Sequence, residues 1–140
     1  MCGRGCSVSR RPRWLFLLCA WLLVWVPLNF AALASRSLPS VGSRDSAAVV
    51  ELAAHGASTA LCVAAGWMLW VGHAAGIGLA AAAVIVNAAV TIQALYMSAL
   101  PRDISPGLAL PLALITVAYT AGWLLYLKRS QRLRVWVGAA

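Results

Sequence analysis

Four long stretches of the chain are almost unbroken runs of apolar residues: 14–34, 47–72, 77–100 and 107–127. Each is about as long as the roughly 20 residues that an apolar helix needs to cross a bilayer. Short polar, Gly- or Pro-bearing segments separate them. SRSLPSVGSRDS at 35–46 reads as a turn-rich loop, with Asp45 or Ser46 as the N-cap of the next helix. GHAAGIG reads as a tight hairpin, and Pro101 stops the third run ahead of the neutral loop PRDISP. Pro27 falls late in the first run and predicts a kink or a local opening of the hydrogen-bond ladder. Asn29 is placed to meet a freed backbone group or a neighbouring helix. Pro111 lies near the start of the fourth run, where proline is better tolerated.

Composition agrees with the runs. Of 140 residues, 63% are hydrophobic and 10% charged, against about 25% charged in an ordinary soluble domain. That excludes a soluble globular domain and a disordered chain, and leaves no room for a separate catalytic domain. The predicted fold class is therefore all-α: an integral membrane four-helix bundle in a single domain.

The net charge of +8 then takes on a different meaning from the one it has in a soluble protein. Arg4, Arg10, Arg11 and Arg13 precede the first run, and Lys128, Arg129, Arg132 and Arg134 follow the last. The basic tails 1–13 and 128–140 read as cytoplasmic collars facing anionic lipid, not as a nucleic-acid surface. Both termini inside requires an even number of spans, in agreement with four. The first run also has the parts of a signal peptide, with a basic start, an apolar stretch 14–26, Ala32-Leu33-Ala34 as a cleavage-type sequence and Ser9-Arg10-Arg11 as a twin-arginine hint. Its continuation past Pro27 to spanning length favours retention; cleavage after Ala34 is the alternative, and the charge pattern does not separate the two.

In lipid, helices associate through close packing and polar contacts. The third run, with Gly76, Ala80, Ala81, Ala82, Ala83, Ala88 and Ala89, is predicted to sit centrally and touch several partners, with a homodimer face as the competing use. Asn87 and Thr91, with Ser98 continuing their face, are expected to bond to neighbouring helices. On the fourth run Thr116, Thr120 and Trp123 share a side, with Tyr119 alongside and Tyr126 as an interfacial anchor. Trp67 and Trp70 suit an interfacial belt.

Glu51 is the one acid inside an apolar run, and His55 lies four residues on. Ser58 and Thr59 extend that line, so Glu51, His55, Ser58, Thr59, Asn87 and Thr91 are the candidate polar or proton path. Against this, Glu51 lies within about two turns of the helix start, where water and the helix dipole suffice to hold it. No metal or other cofactor is expected. His55 and His73 are 18 residues apart, or about 27 Å along a helix, too far to share a haem. Cys19 and Cys62 read as small hydrophobes, and Cys2 and Cys6 lack the partners of a zinc site. P-loop, Rossmann, zincin and nucleophile-elbow motifs are missing, so the chain does not read as an enzyme.

Trp123, Tyr126, Leu127, Ser130, Arg132 and Leu133 resemble a tail pattern, I-W-x-x-Y-F-x-x-S-x-R-V-x-x-T-F, of a family of small four-span bacterial inner-membrane proteins of unknown function. Val135-Trp136 stand near the place of the family's Thr-Phe. Trp14-Leu15 and Pro27 match its first span, with Arg13 in place of a glycine. The resemblance covers about a third of the chain. It implies a retained first helix and the bacterial plasma membrane, and no activity. The sequence thus supports a non-enzymatic accessory or interaction subunit acting through helix and lipid contacts, partnered by the bilayer and by a second copy or another membrane protein. The alternative is an oligomeric transporter or channel subunit with Glu51 and His55 on a proton-coupled path.

Overall fold

A computed structural model describes residues 13–41, 46–97 and 106–130. Arg4, Arg10, Arg11, Arg132 and Arg134 of the two tails, and Cys2, Cys6, Arg44, Asp45, Ser98, Pro101, Leu133, Val135 and Trp136, lie outside the described residues. The described chain is all-helical. α1 (Arg13–Ala20), a π-helical segment (Trp21–Trp25) and α2 (Val26–Val41) follow one another as a single rod. α3 (Ser46–Val71), α4 (Gly76–Met97) and α5 (Pro106–Arg129) complete the order. Four helices are long and apolar enough to cross a membrane, spanning Arg13–Ser37, Ser46–Val71, Gly76–Met97 and Gly107–Arg129.

Two boundaries have local causes. Gly72 ends α3 with φ 79°, the left-handed conformation that glycine adopts without strain. His73 N–H donates to Met68 O at 2.9 Å and Gly72 N–H to Leu69 O at 3.2 Å, a Schellman cap. The predicted loop at 35–46 is shorter than expected, because the helix runs on to Val41. Ser35 and Ser37 send their hydroxyls to Ala32 O and Leu33 O, so these turn-type residues sit comfortably in a helix.

Pro27 acts where it was expected to. It has no N–H to donate, and the ladder changes register just before it, with Val26 N–H bonding Trp21 O in the π-helical segment. Asn29 Nδ2 donates to Trp25 O at 2.8 Å, a carbonyl of its own rod.

The rod packs on α3, α3 on α4, and α4 on α5. The contacts Phe16–Trp70, Cys19–Gly66 and Phe30–Gly56 step along the rod and α3 in opposite directions, as an antiparallel pair must. Cys62 Sγ reaches Ala83 O at 3.8 Å and Ser58 reaches Asn87, so α3 and α4 are antiparallel as well. α4, expected at the centre, packs between α3 and α5; its buried share, 28%, equals that of the rod. Cys19 and Cys62 are buried and outside any disulfide, the packing role expected of them.

The core is lopsided. Leu15, Leu18 and Leu22 of the rod, Cys62, Ala65 and Leu69 of α3, Ala80, Ala83 and Val84 of α4, and Leu127 of α5 belong to one buried cluster. These positions lie toward the 72–75 turn and the outer ends of the rod and α5. We call this the tail end. Toward the other end the polar residues concentrate and the packing opens.

Candidate functional site: a polar chamber between the four helices

The opening is a chamber of about 400 Å³ with walls from all four apolar helices. The rod supplies Trp21, Trp25, Asn29, Phe30 and Leu33; α3 supplies His55 and Thr59; α4 supplies Asn87 and Thr91; α5 supplies Thr116 and Tyr119. At 1.5 Å per residue, Thr59 stands about 20 Å along α3, and Asn87 about 16 Å along α4, each near the middle of its helix. A second cavity of about 330 Å³ lies where α3 begins and α4 ends, lined by Glu51, Val50, Val90, Gln93 and Met97 among others. His55 lines both.

The structure divides the candidate polar path. His55, Thr59, Asn87 and Thr91 line the mid-bundle chamber, and Glu51 with His55 lines the outer one. Ser58 lines neither. It is buried in the α3–α4 contact and donates its hydroxyl to Asn87 Oδ1 at 3.4 Å. The helical reading put Glu51, His55, Ser58 and Thr59 on one line. Ser58 comes three residues after His55, about 60° short of a full turn, and Thr59 about 40° beyond one, so the two point about 100° apart and Ser58 falls on the packed side.

Hydrogen bonds fix the side chains mostly from within their own helices. Thr59 Oγ1 donates to His55 O at 2.8 Å and Thr91 Oγ1 to Asn87 O at 2.7 Å. Thr116 Oγ1 donates to Leu112 O at 2.9 Å. Thr91 was expected to bond to a neighbouring helix; the carbonyl four residues back is nearer to a helical threonine. His55 Nδ1 lies 3.0 Å from the Glu51 backbone oxygen. A carbonyl cannot donate, so Nδ1 carries the proton, and in the neutral ring Nε2 is the acceptor.

Aromatic side chains were the part of the site that sequence reasoning missed. Trp21 and Trp25 were legible only as members of an apolar run, although their spacing of four puts them on one side of the rod. Trp21 meets Tyr119 edge-on at 5.1 Å between ring centroids, closing the rod against α5. Tyr119, Trp123 and Tyr126 continue as an edge-on ladder along α5. Tyr126, expected to anchor at a water interface, has its hydroxyl buried against the bundle, as is Trp123 Nε1. Asn29 and Thr116 are polar residues in apolar runs, and that signal was available. His73, in the turn, is exposed and accepts the Ala75 N–H at its Nδ1. Among the described residues, no three His, Cys, Asp or Glu side chains gather as a metal site.

Set against family models, curated proteins and solved structures, the chain matches none of them.

Proposed function

We propose that this chain is a non-enzymatic multi-pass membrane protein, with both termini in the cytoplasm, whose bundle is a small transport or channel subunit. The observation that carries this reading is the chamber. Four apolar helices each send polar side chains to one mid-bundle space, and solute sites in transporters lie near the bilayer midplane. The basic collars support the orientation. Trp14 and Trp67, both exposed and both toward the tail end, suit an interfacial belt at that face. The rod's share of the core, with Leu15, Leu18 and Leu22 in it, supports a retained first helix. The tail resemblance is the ground for assigning the bacterial plasma membrane.

On this reading Glu51 and His55 form the proton-coupled entrance. Among the described residues, the titratable groups lining the two cavities are Glu51, His55 and Tyr119. Vesicles of the reconstituted protein, holding a pH-sensitive dye and given an acid pulse outside, should acidify several-fold faster than protein-free vesicles. Glu51→Gln should return them to the protein-free rate. Equal rates for the parent protein and empty vesicles would overturn the transport reading.

One observation favours a second reading, an accessory subunit working through helix contacts. Only 6% of the apolar window of α5 is buried inside the bundle, and Leu108, Leu110, Leu114 and Val117 are exposed along it. In a bilayer that face meets lipid, a second copy or another subunit.

A further inference from the structure

A seam runs between the rod and α5. The rod packs along α3, α3 along α4 and α4 along α5, and among the described residues no comparably extensive contact joins the rod to α5. Toward the tail end the seam is closed, because Leu127 of α5 shares the core with Leu15 and Leu18, and Trp21 meets Tyr119 edge-on. Beyond Trp21 the chamber occupies it. Trp25 on the rod and Ile115 on α5 both line the chamber, and they are 60% and 64% exposed. Asn29, one turn beyond Trp25, is exposed as well. Trp25 lies about 18 Å along the rod and Ile115 about 14 Å along α5, far from any helix end. An opening at that depth faces sideways, and in a bilayer it faces acyl chains.

The chamber wall both gives and takes hydrogen bonds. Thr59, Thr91 and Thr116 direct their hydroxyl protons to carbonyls of their own helices and offer lone pairs. His55 Nδ1 faces the Glu51 carbonyl, and neutral Nε2 accepts. Asn87 accepts the Ser58 hydroxyl at Oδ1, which makes its amide nitrogen the donor end, and the indole N–H of Trp25 is a further donor. Trp21, Trp25, Phe30 and Tyr119 add flat apolar surface. A molecule that arrives through hydrocarbon, packs among rings and exchanges hydrogen bonds in both directions is uncharged, aromatic and hydroxylated, since a charge is costly to carry through the bilayer interior. The volume, about 400 Å³, is in the range of small-molecule sites.

We propose that the chamber is loaded sideways from the bilayer, through the seam between the rod and α5, with an uncharged aromatic amphiphile that carries a hydroxyl group. This rests on the reading of the chamber as a solute site and names its solute class and route. The test uses the full-length protein in neutral-lipid nanodiscs at mildly acidic pH, with brominated probes that quench tryptophan on contact. Three probes share a butyl-bromobenzene body and carry a hydroxyl, no polar group, or a trimethylammonium group. Titrated per mole of lipid, the phenol should give a saturable loss of tryptophan fluorescence at least about tenfold tighter than the unsubstituted body, and the ammonium ion should bind more weakly than the phenol. Thr59→Phe, checked for retained helicity, should abolish the saturable component, and Ala60→Phe on the outer face should keep it. Lengthening the phenol's tail from butyl to dodecyl should change its affinity by less than about threefold, because the tail stays in lipid through the seam. A smaller preference for the phenol, tighter binding of the ammonium ion, a saturable signal that survives Thr59→Phe, or rejection of the long-tailed phenol would overturn the proposal. If the phenol fails to bind while Glu51-dependent proton flux persists in vesicles, only the solute class and route fall. If both fail, the transport reading falls with them.

Discussion

Replacing Gly66 with leucine is expected to separate the rod from α3 and leave little protein recoverable as a folded bundle. Gly66 is buried in the contact between the two helices, and its carbonyl lies 3.7 Å from Cys19 Sγ. A Cβ at this position would stand 2.9 Å from Leu23 Cγ and 3.1 Å from Leu22 Cβ. Leu22 is fully buried in the core and has nowhere to go. Overpacking of this kind costs about 1–3 kcal/mol even for small additions, and a whole isobutyl group should exceed about 3 kcal/mol, a large part of a marginal stability. Gly66→Ala should fall between the parent and leucine. Gly78→Ala is the control, because nothing lies within 4 Å of its added methyl; it should be neutral or gain up to about 1 kcal/mol of helix propensity. Loss of helical signal on titration with a denaturing detergent ranks the variants. Gly66→Leu as resistant as Gly78→Ala would contradict the packing described.

Thr59→Phe should have the reverse profile, an intact fold and a dead chamber. Thr59 is half-buried and lines the open space, so a phenyl ring has room that Gly66 lacks. The ring also displaces polar wall with apolar surface and removes the bond to His55 O. Proton flux in vesicles should drop at least about tenfold, a loss equivalent to about 1.4 kcal/mol of access or binding. Ala60→Phe, one residue on and exposed outside the bundle, should leave flux near the parent value. Equal losses at 59 and 60 would mean that the chamber is not the path.

The four helices were legible because a bilayer-length apolar run with Gly or Pro at its ends has few other meanings. Boundaries moved by a residue or a turn, most at 35–41, where serines that favour loops bonded to their own helix instead. His55, Thr59, Asn87 and Thr91 were legible as site residues because a polar side chain in an apolar run needs a partner. The lopsided core was not legible. Leu15 and Leu28 are equally apolar, yet one is buried and the other exposed. Where every helix is long and apolar enough to cross a membrane, hydrophobicity does not separate inside from outside. The same blindness hid Trp21 and Trp25, whose place in the chamber depends on the π-helical segment before Pro27.

On the proposed transport reading, water reaches the chamber from the face away from the tails, and the tail-end core closes it toward them. Single cysteines report this directly when placed in a chain whose four native cysteines are changed to alanine. A charged, membrane-impermeant maleimide is applied from the face opposite the termini. Cysteines at Thr59 and Asn87, in the chamber wall, should label. Cysteines at Leu69 and Ala83, both fully buried in the tail-end core, should stay unreacted until the protein is denatured. Reaction at 69 and 83 as fast as at 59, or protection of all four positions alike, would contradict the account.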